Sequence, residues 1–242
     1  MGLPVPFPTG ALIQTKTGIG FKRNLWIPNS FEYDVFEDKF WGDALLGLYP
    51  AAKTNGTSAA VTFTEHNANG YLELVSGTDD DGYAGQGMGM QFTGSRGVLF
   101  EGILRTPAAV TTMKFEFGLS DADDDAGAVL LKATPTHTAT DYAVFCVDTD
   151  DDANIAFISY NGSTGVAKQD IQAIAASTTY RFAIRVEATV VTAWLNDVQV
   201  AGGTHVVTAA TKLTPWAFVQ ARAVSASRTI QLHKWRVTQP AY

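Results

Sequence analysis

Period-two alternation of apolar and polar residues recurs along most of this chain, and no stretch keeps a capped 3.6-residue apolar period for three helical turns. That property alone restricts the fold to sheets. Val61–Glu65 and Tyr71–Val75 alternate around an Asn-Ala-Asn-Gly turn, and Gly97–Arg105 follows. Met113, Phe115, Phe117 and Leu119 then share one face, with Lys114, Glu116 and Gly118 on the other. Ala128–Ala133, Tyr142–Val147 and Asn154–Tyr160 come next, and Asn161-Gly162 is a type I′ hairpin signal. Val166–Ala176 reads as strand plus loop. Tyr180, Phe182, Ile184 and Val186 form an inward face, with Trp194 expected beside them from a hairpin that turns at Asn196-Asp197. Pro215–Arg222 and Arg228–Thr238 close the chain. In the last strand Ile230 and Leu232 share one phase and Trp235 and Val237 the other, which predicts a β-bulge near His233 and Lys234. About a dozen short strands without intervening helices give an all-β fold, an antiparallel two-sheet jelly-roll sandwich over residues 35–242.

Composition narrows what such a sandwich could serve. Of 242 residues, 46% are hydrophobic, enough for a core, and 17% are charged, too few for intrinsic disorder. A net charge of -7 offers no basic stripe, so nucleic acid is not an expected partner. No run of about 18 apolar residues is present, so no membrane partner is expected. The opening Met1-Gly-Leu-Pro-Val-Pro-Phe-Pro lacks a charged n-region and a long apolar h-region, and so reads as no signal peptide. The lone Cys146 cannot form an internal disulfide and sits in an apolar run, as a buried small hydrophobe.

Residues 1–34 read as an extended arm. Residues 1–31 hold four of the nine prolines, three basic side chains and no acid, which leaves 14 bases against 24 acids, or -10, for the remainder. Proline fixes φ and removes donors, so the arm should be extended or irregular. It nevertheless carries apolar groups. Phe7, Leu12, Phe21, Lys22, Arg23 and Trp26 are the candidate partner-binding residues. The arm either covers its own sandwich or docks on a neighbouring subunit; the second choice implies a homo-oligomer, for which a trimer is the expectation.

Aspartates cluster at Asp79–Asp81, Asp121–Asp125 and Asp148–Asp152. If the strands from 112 to 160 meander, the second and third clusters fall at one end of the sandwich. Asp121, Asp123, Asp125, Asp148, Asp150 and Asp152 are then candidate calcium ligands, since calcium takes several carboxylate oxygens from flexible loops. No EF-hand spacing is present, and solvated turns are the competing reading. His66, His137, His205 and His233 lack zinc spacing, and no nucleophile elbow or phosphate loop occurs. Trp194 and Trp235 are expected in the core; Trp41 and Trp216 could pack there or line a sugar site.

Phe36-Glu-Asp-Lys-Phe-Trp-Gly42, Tyr71-Leu-Glu-Leu-Val75, Phe100-Glu-Gly-Ile-Leu-Arg105 and Lys114-Phe-Glu-Phe-Gly-Leu-Ser120 together resemble concanavalin A-like, laminin-G-like jelly rolls. Thr179–Val186 followed by Thr192–Val198 is similar to the late hairpin of that family. Domains of this kind with a Pro-rich start and an Ala/Thr/Gly-rich body occur as virion proteins of tailed bacteriophages. The superfamily also holds lectins and glycoside hydrolases, the latter with an E-x-D-x-x-E-type run that this chain lacks. The resemblance therefore implies a non-enzymatic structural virion protein, a capsid decoration or attachment piece assembled in the host cytoplasm. Its partner would be the major capsid protein or another virion protein. The alternative it implies is a carbohydrate-binding module, with a glycan as partner.

Overall fold

The computed structural model describes residues 11–13, 25–27, 33–40, 49–63, 70–89, 92–122, 127–163 and 166–241. In chain order the strands are β1 (Ala11–Ile13), β2 (Leu25–Ile27), β3 (Tyr33–Asp38), β4 (Lys53–Asn55), β5 (Ala60–Phe63), β6 (Leu72–Val75) and β7 (Tyr83–Gly87). They continue as β8 (Phe92–Thr93), β9 (Val98–Arg105), β10 (Met113–Ser120), β11 (Val129–Leu131), β12 (Thr136–His137), β13 (Asp141–Asp148) and β14 (Asp152–Asn161). The last are β15 (Ala167–Ala173), β16 (Thr179–Val186), β17 (Val191–Leu195), β18 (Val198–Ala201), β19 (Lys212–Ala221) and β20 (Thr229–Pro240). Among the described residues the one helical element is a 3₁₀ turn at Gly94–Arg96.

Two antiparallel sheets make the sandwich. The first runs β18-β17-β16-β9-β20-β6-β5, with β3 also on β20. The second runs β15-β14-β13-β10-β19-β7-β4, with β8 also on β19. The expected all-β two-sheet fold is what forms. β3 starts at Tyr33, and β1 pairs with β2 in register Leu12↔Trp26. Phe7, Phe21, Lys22 and Arg23 lie outside the described residues.

Alternation builds the core. Phe100, Phe182 and Ile184 from the first sheet meet Phe115, Phe117, Phe145 and Phe157 from the second, all buried. Phe117 lies 5.1 Å from Phe100 and 5.4 Å from Phe182, centroid to centroid. Gly102 makes room for this: a Cβ there would stand 2.2 Å from Phe117 Cζ. The expected bulge is present, since the β20–β9 register shifts between Leu232 and Lys234. It brings Ile230, Leu232, Trp235 and Val237 all into the core.

Three expectations need correction. Trp194 does not join Phe182 and Ile184. Asn196 and Asp197 both have positive φ, as a two-residue hairpin turn requires, and the register they set points Val191, Ala193 and Leu195 inward. Trp194, half-buried, therefore lies on the outer face opposite Ala183. Asn161-Gly162 does not make a two-residue turn, because β15 starts only at Ala167. Lastly, Ala128–Ala133 holds a strand, β11, but not one of the second sheet. β10 pairs directly with β13, Ser120 opposite Tyr142, which leaves no place between them. β11 and β12 instead pair with each other, and their segment lies across the outer face of the second sheet. There Ala128, Val129 and Ala139 cover Tyr142, Val144, Cys146, Ala156, Ile158 and Tyr160, a second apolar layer. Cys146 is buried in it, as expected.

Candidate functional site

The outer face of the first sheet carries a cleft of about 490 Å³, lined by strand residues Glu73, Arg105, Gln231 and Thr229 and by loop residues Thr106–Ala109, Ser177, Ser227 and Arg228. Its floor follows from register. Gln231 on β20 stands opposite Glu73 on β6 and Arg105 on β9, so a carboxylate, an amide and a guanidinium form one row across three strands. All three occupy outward phases, because Leu72, Leu74, Leu104, Ile230 and Leu232 take the inward ones. Gln231 Nε2 donates to Glu73 Oε1 at 3.0 Å, which orients both planes.

The rim is pinned by hydrogen bonds. Thr106 Oγ1 donates to Ala175 O at 2.7 Å and accepts from Thr178 N at 3.0 Å, and Ser177 N donates to Pro107 O at 2.8 Å. Arg228 is locked into the chain by Ser76, whose Oγ accepts from Arg228 N at 2.9 Å. At the next outward position of β20, beyond the cleft floor, His233 meets Tyr71 edge-on with ring centroids 5.4 Å apart. Burial, and secondarily the charge of Arg105, hold the His233 imidazole below its ordinary range.

A second cluster sits on the other sheet, under the β11–β12 cover. Glu116 is fully buried and its carboxylate accepts from Ala128 N (2.6 Å), Val129 N (3.0 Å) and Trp216 Nε1 (3.2 Å), with Lys114 Nζ at 3.1 Å. Lys114 Nζ also donates to Val129 O. Gly127, at φ +82°, lets the cover descend this far: a Cβ there would lie 2.5 Å from Glu116 Oε1. The chemistry of this cluster is that of a clasp, holding the cover to β10.

Of the candidate calcium ligands that the structure describes, Asp121 lies apart from Asp148, Asp150 and Asp152. β10 and β13 are antiparallel, with Ser120 opposite Tyr142 and Lys114 opposite Asp148, so Asp121 and Asp148 lie at opposite ends of the pair. The predicted meander fails because the segment between those strands leaves the sheet. Asp121 accepts from Thr140 N at 3.1 Å. Asp148 takes two bonds from Arg222, at 3.0 and 2.5 Å, and Asp150 stands 3.7 Å from the same guanidinium. Asp152 pairs with the buried Lys132 at 2.5 Å. Asp123 and Asp125 lie outside the described residues. Among the described residues no three His, Cys, Asp or Glu side chains are arranged to hold a metal ion.

Of the tryptophans left open, Trp216 is fully buried, and it supplies the volume that Gly85 lacks, lying where a Cβ on Gly85 would be 2.6 Å from its ring. Sequence reasoning missed the whole cleft row. Each member reads as an ordinary outward position of its own strand, and only the pairing of β20 with both β6 and β9 brings them together.

No protein-family model matches the chain, and no curated protein matches it in sequence. Solved structures do match in fold. The carbohydrate recognition domain of Emp47p has a TM-score of 0.60 at 8% identity, over 87% of this chain and 98% of that one. A glycoside hydrolase family 16 endo-glucanase from Bacteroides ovatus gives 0.58 at 9%, over 84% and 99%. The Crh5 transglycosylase gives 0.58 at 12%, over 86% and 85%. These likenesses support the concanavalin-like jelly roll and overturn two expectations drawn from it. These neighbours are an endo-glucanase, a transglycosylase and a carbohydrate recognition domain, not virion components, which overturns the structural virion role. The expectation of a non-enzymatic protein is overturned as well, since an endo-glucanase and a transglycosylase are among the structures of this fold.

Proposed function

We propose that the chain binds carbohydrate in the cleft formed by β6, β20 and β9. The observation that carries this reading is the row Glu73–Gln231–Arg105. Adjacent strands are about 4.8 Å apart, so three planar polar groups are presented on rungs of that spacing. Carboxylate oxygens accept, guanidinium nitrogens donate, and the amide does both. Such a set addresses vicinal hydroxyls, which also both donate and accept. The Tyr71–His233 pair sets ring surface beside the row for the apolar face of a sugar. Thr229, Ser177 and Ser227 add hydroxyls around the cleft. Support from the fold is that neighbours of the same architecture are described as carbohydrate recognition domains and as an endo-glucanase in complex with an oligosaccharide.

A glycan array on the intact protein tests this, with reducing-end release measured in the same incubations. The expected result is retention of a defined oligosaccharide class, weakened about tenfold or more by Gln231→Ala with an unchanged melting midpoint. Binding that is indifferent to Gln231→Ala and to Tyr71→Ala would place the sugar elsewhere and defeat the proposal.

A further inference from the structure

We propose that this cleft selects an anionic sugar, one bearing a carboxylate or a sulfate ester; the inference rests on the carbohydrate reading above. Two arginines, Arg105 and Arg228, line the cleft, and among the described residues neither forms an ion pair. Arg228 donates from Nε to Thr111 O at 2.7 Å, from Nη1 to Ser227 O at 2.9 Å and from Nη2 to Thr112 Oγ1 at 2.6 Å. All three acceptors are neutral. These bonds fix the plane of the group while leaving its charge uncompensated, and a guanidinium has two further N–H donors to offer. Arg105 is exposed, and among the described residues nothing hydrogen-bonds or ion-pairs with its guanidinium. The carboxylate in the lining, Glu73, is occupied by Gln231 and forms no ion pair among the described residues.

Three other arginines have close carboxylate partners. Arg181 pairs with Asp197, Arg185 with Glu187, and Arg222 with Asp81 and Asp148. In a chain with 24 acids against 17 bases, carboxylates are abundant. Two arginines against the single carboxylate of Glu73 leave an excess of positive charge in the recess, the arrangement that an incoming anion completes. Planar, forked donors match the two oxygens of a carboxylate or sulfate, and bonds between charged partners are the strong ones. Serine and threonine hydroxyls around them suit the sugar that carries the anion.

Isothermal titration of the intact protein would use four probes: a neutral oligosaccharide, a uronate-containing one of the same length, a sulfated one, and inorganic sulfate. At least one charged oligosaccharide should bind about tenfold or more tightly than the neutral one. The preference should shrink as salt is added and vanish in Arg105→Gln, an exposed position whose replacement leaves the melting midpoint unchanged. Arg228→Lys keeps the charge but loses the fork, and should lose part of the preference. Equal binding of neutral and charged sugars, untouched by Arg105→Gln, would overturn the inference while the carbohydrate reading stands. Failure to bind any oligosaccharide would overturn both. Inorganic sulfate bound as tightly as the sulfated sugar would overturn the sugar preference and leave a bare anion site.

Discussion

Replacing Glu116 by Gln changes one oxygen for an NH2 group in a fully buried site, so almost nothing about shape is altered. The carboxylate that faces the buried Lys114 ammonium at 3.1 Å is lost. The new NH2 group, if it takes the Oε2 position, also confronts the donors Ala128 N and Trp216 Nε1, which now hold Oε2 at 2.6 and 3.2 Å. Removing one partner of a buried pair costs about 3–5 kcal/mol, because the other charge stays desolvated. For a chain of this size that corresponds to a fall in melting midpoint of about 2–4 °C per kcal/mol. Urea denaturation followed by tryptophan fluorescence would measure it, since Trp216 touches the site. The double variant Lys114→Met with Glu116→Gln closes the cycle. It should be less destabilised than the sum of the two single variants, because it leaves no charge behind. A cost for Glu116→Gln below about 1 kcal/mol would refute the clasp, for it would mean that water reaches the carboxylate in the folded protein.

Other expectations follow from the core and from one buried imidazole. His205 is 2% exposed, with Nδ1 3.1 Å from Ser159 Oγ, and burial pushes its imidazole down to about 4 from 6.5. The unfolded chain takes up a proton between those values that the folded chain refuses. This contribution to stability is therefore complete above pH 6.5 and falls by about 3 kcal/mol as pH drops to 4. His205→Gln should flatten that part of the stability–pH curve, and parallel curves for the two proteins would contradict the assignment. Phe182→Ala should cost about 3–5 kcal/mol in chemical denaturation, and an unchanged midpoint would show that its burial is misassigned. Gly102→Ala, which drives a methyl into the Phe117 ring, should cost about 1–3 kcal/mol, and a neutral result would show that β9 can shift away.

Much of the sandwich was legible because its strands have one wet face. The alternation in Tyr180–Val186 and the phase slip in β20 both translate directly into burial. Legibility failed where both faces are buried. Tyr83–Gly87 has no alternation to read, since Trp216 from β19 fills the space over Gly85. Lys114 and Glu116 read as a solvent face, yet both are fully buried, because a segment 12 residues or more downstream folds back over them. That segment also misled the placement of the aspartate clusters: taken as a sheet strand, it reverses which loops share an end. Trp194 shows the smaller version of the error, one residue of phase decided by the turn at Asn196-Asp197. The cleft was invisible for a different reason. Glu73 and Gln231 are 158 positions apart, and nothing local in either strand specifies the other.

Chemical-shift mapping of the isotopically labelled protein, titrated with the oligosaccharide class retained on the array, tests the central claim most directly. The account predicts that amide and side-chain perturbations concentrate at Glu73, Arg105, Gln231 and Arg228, extend to Tyr71 and His233, and leave the β11–β12 cover unmoved. Perturbations centred on residues 127–139 and the second sheet would contradict it, because the sugar would then be bound on the opposite face of the sandwich.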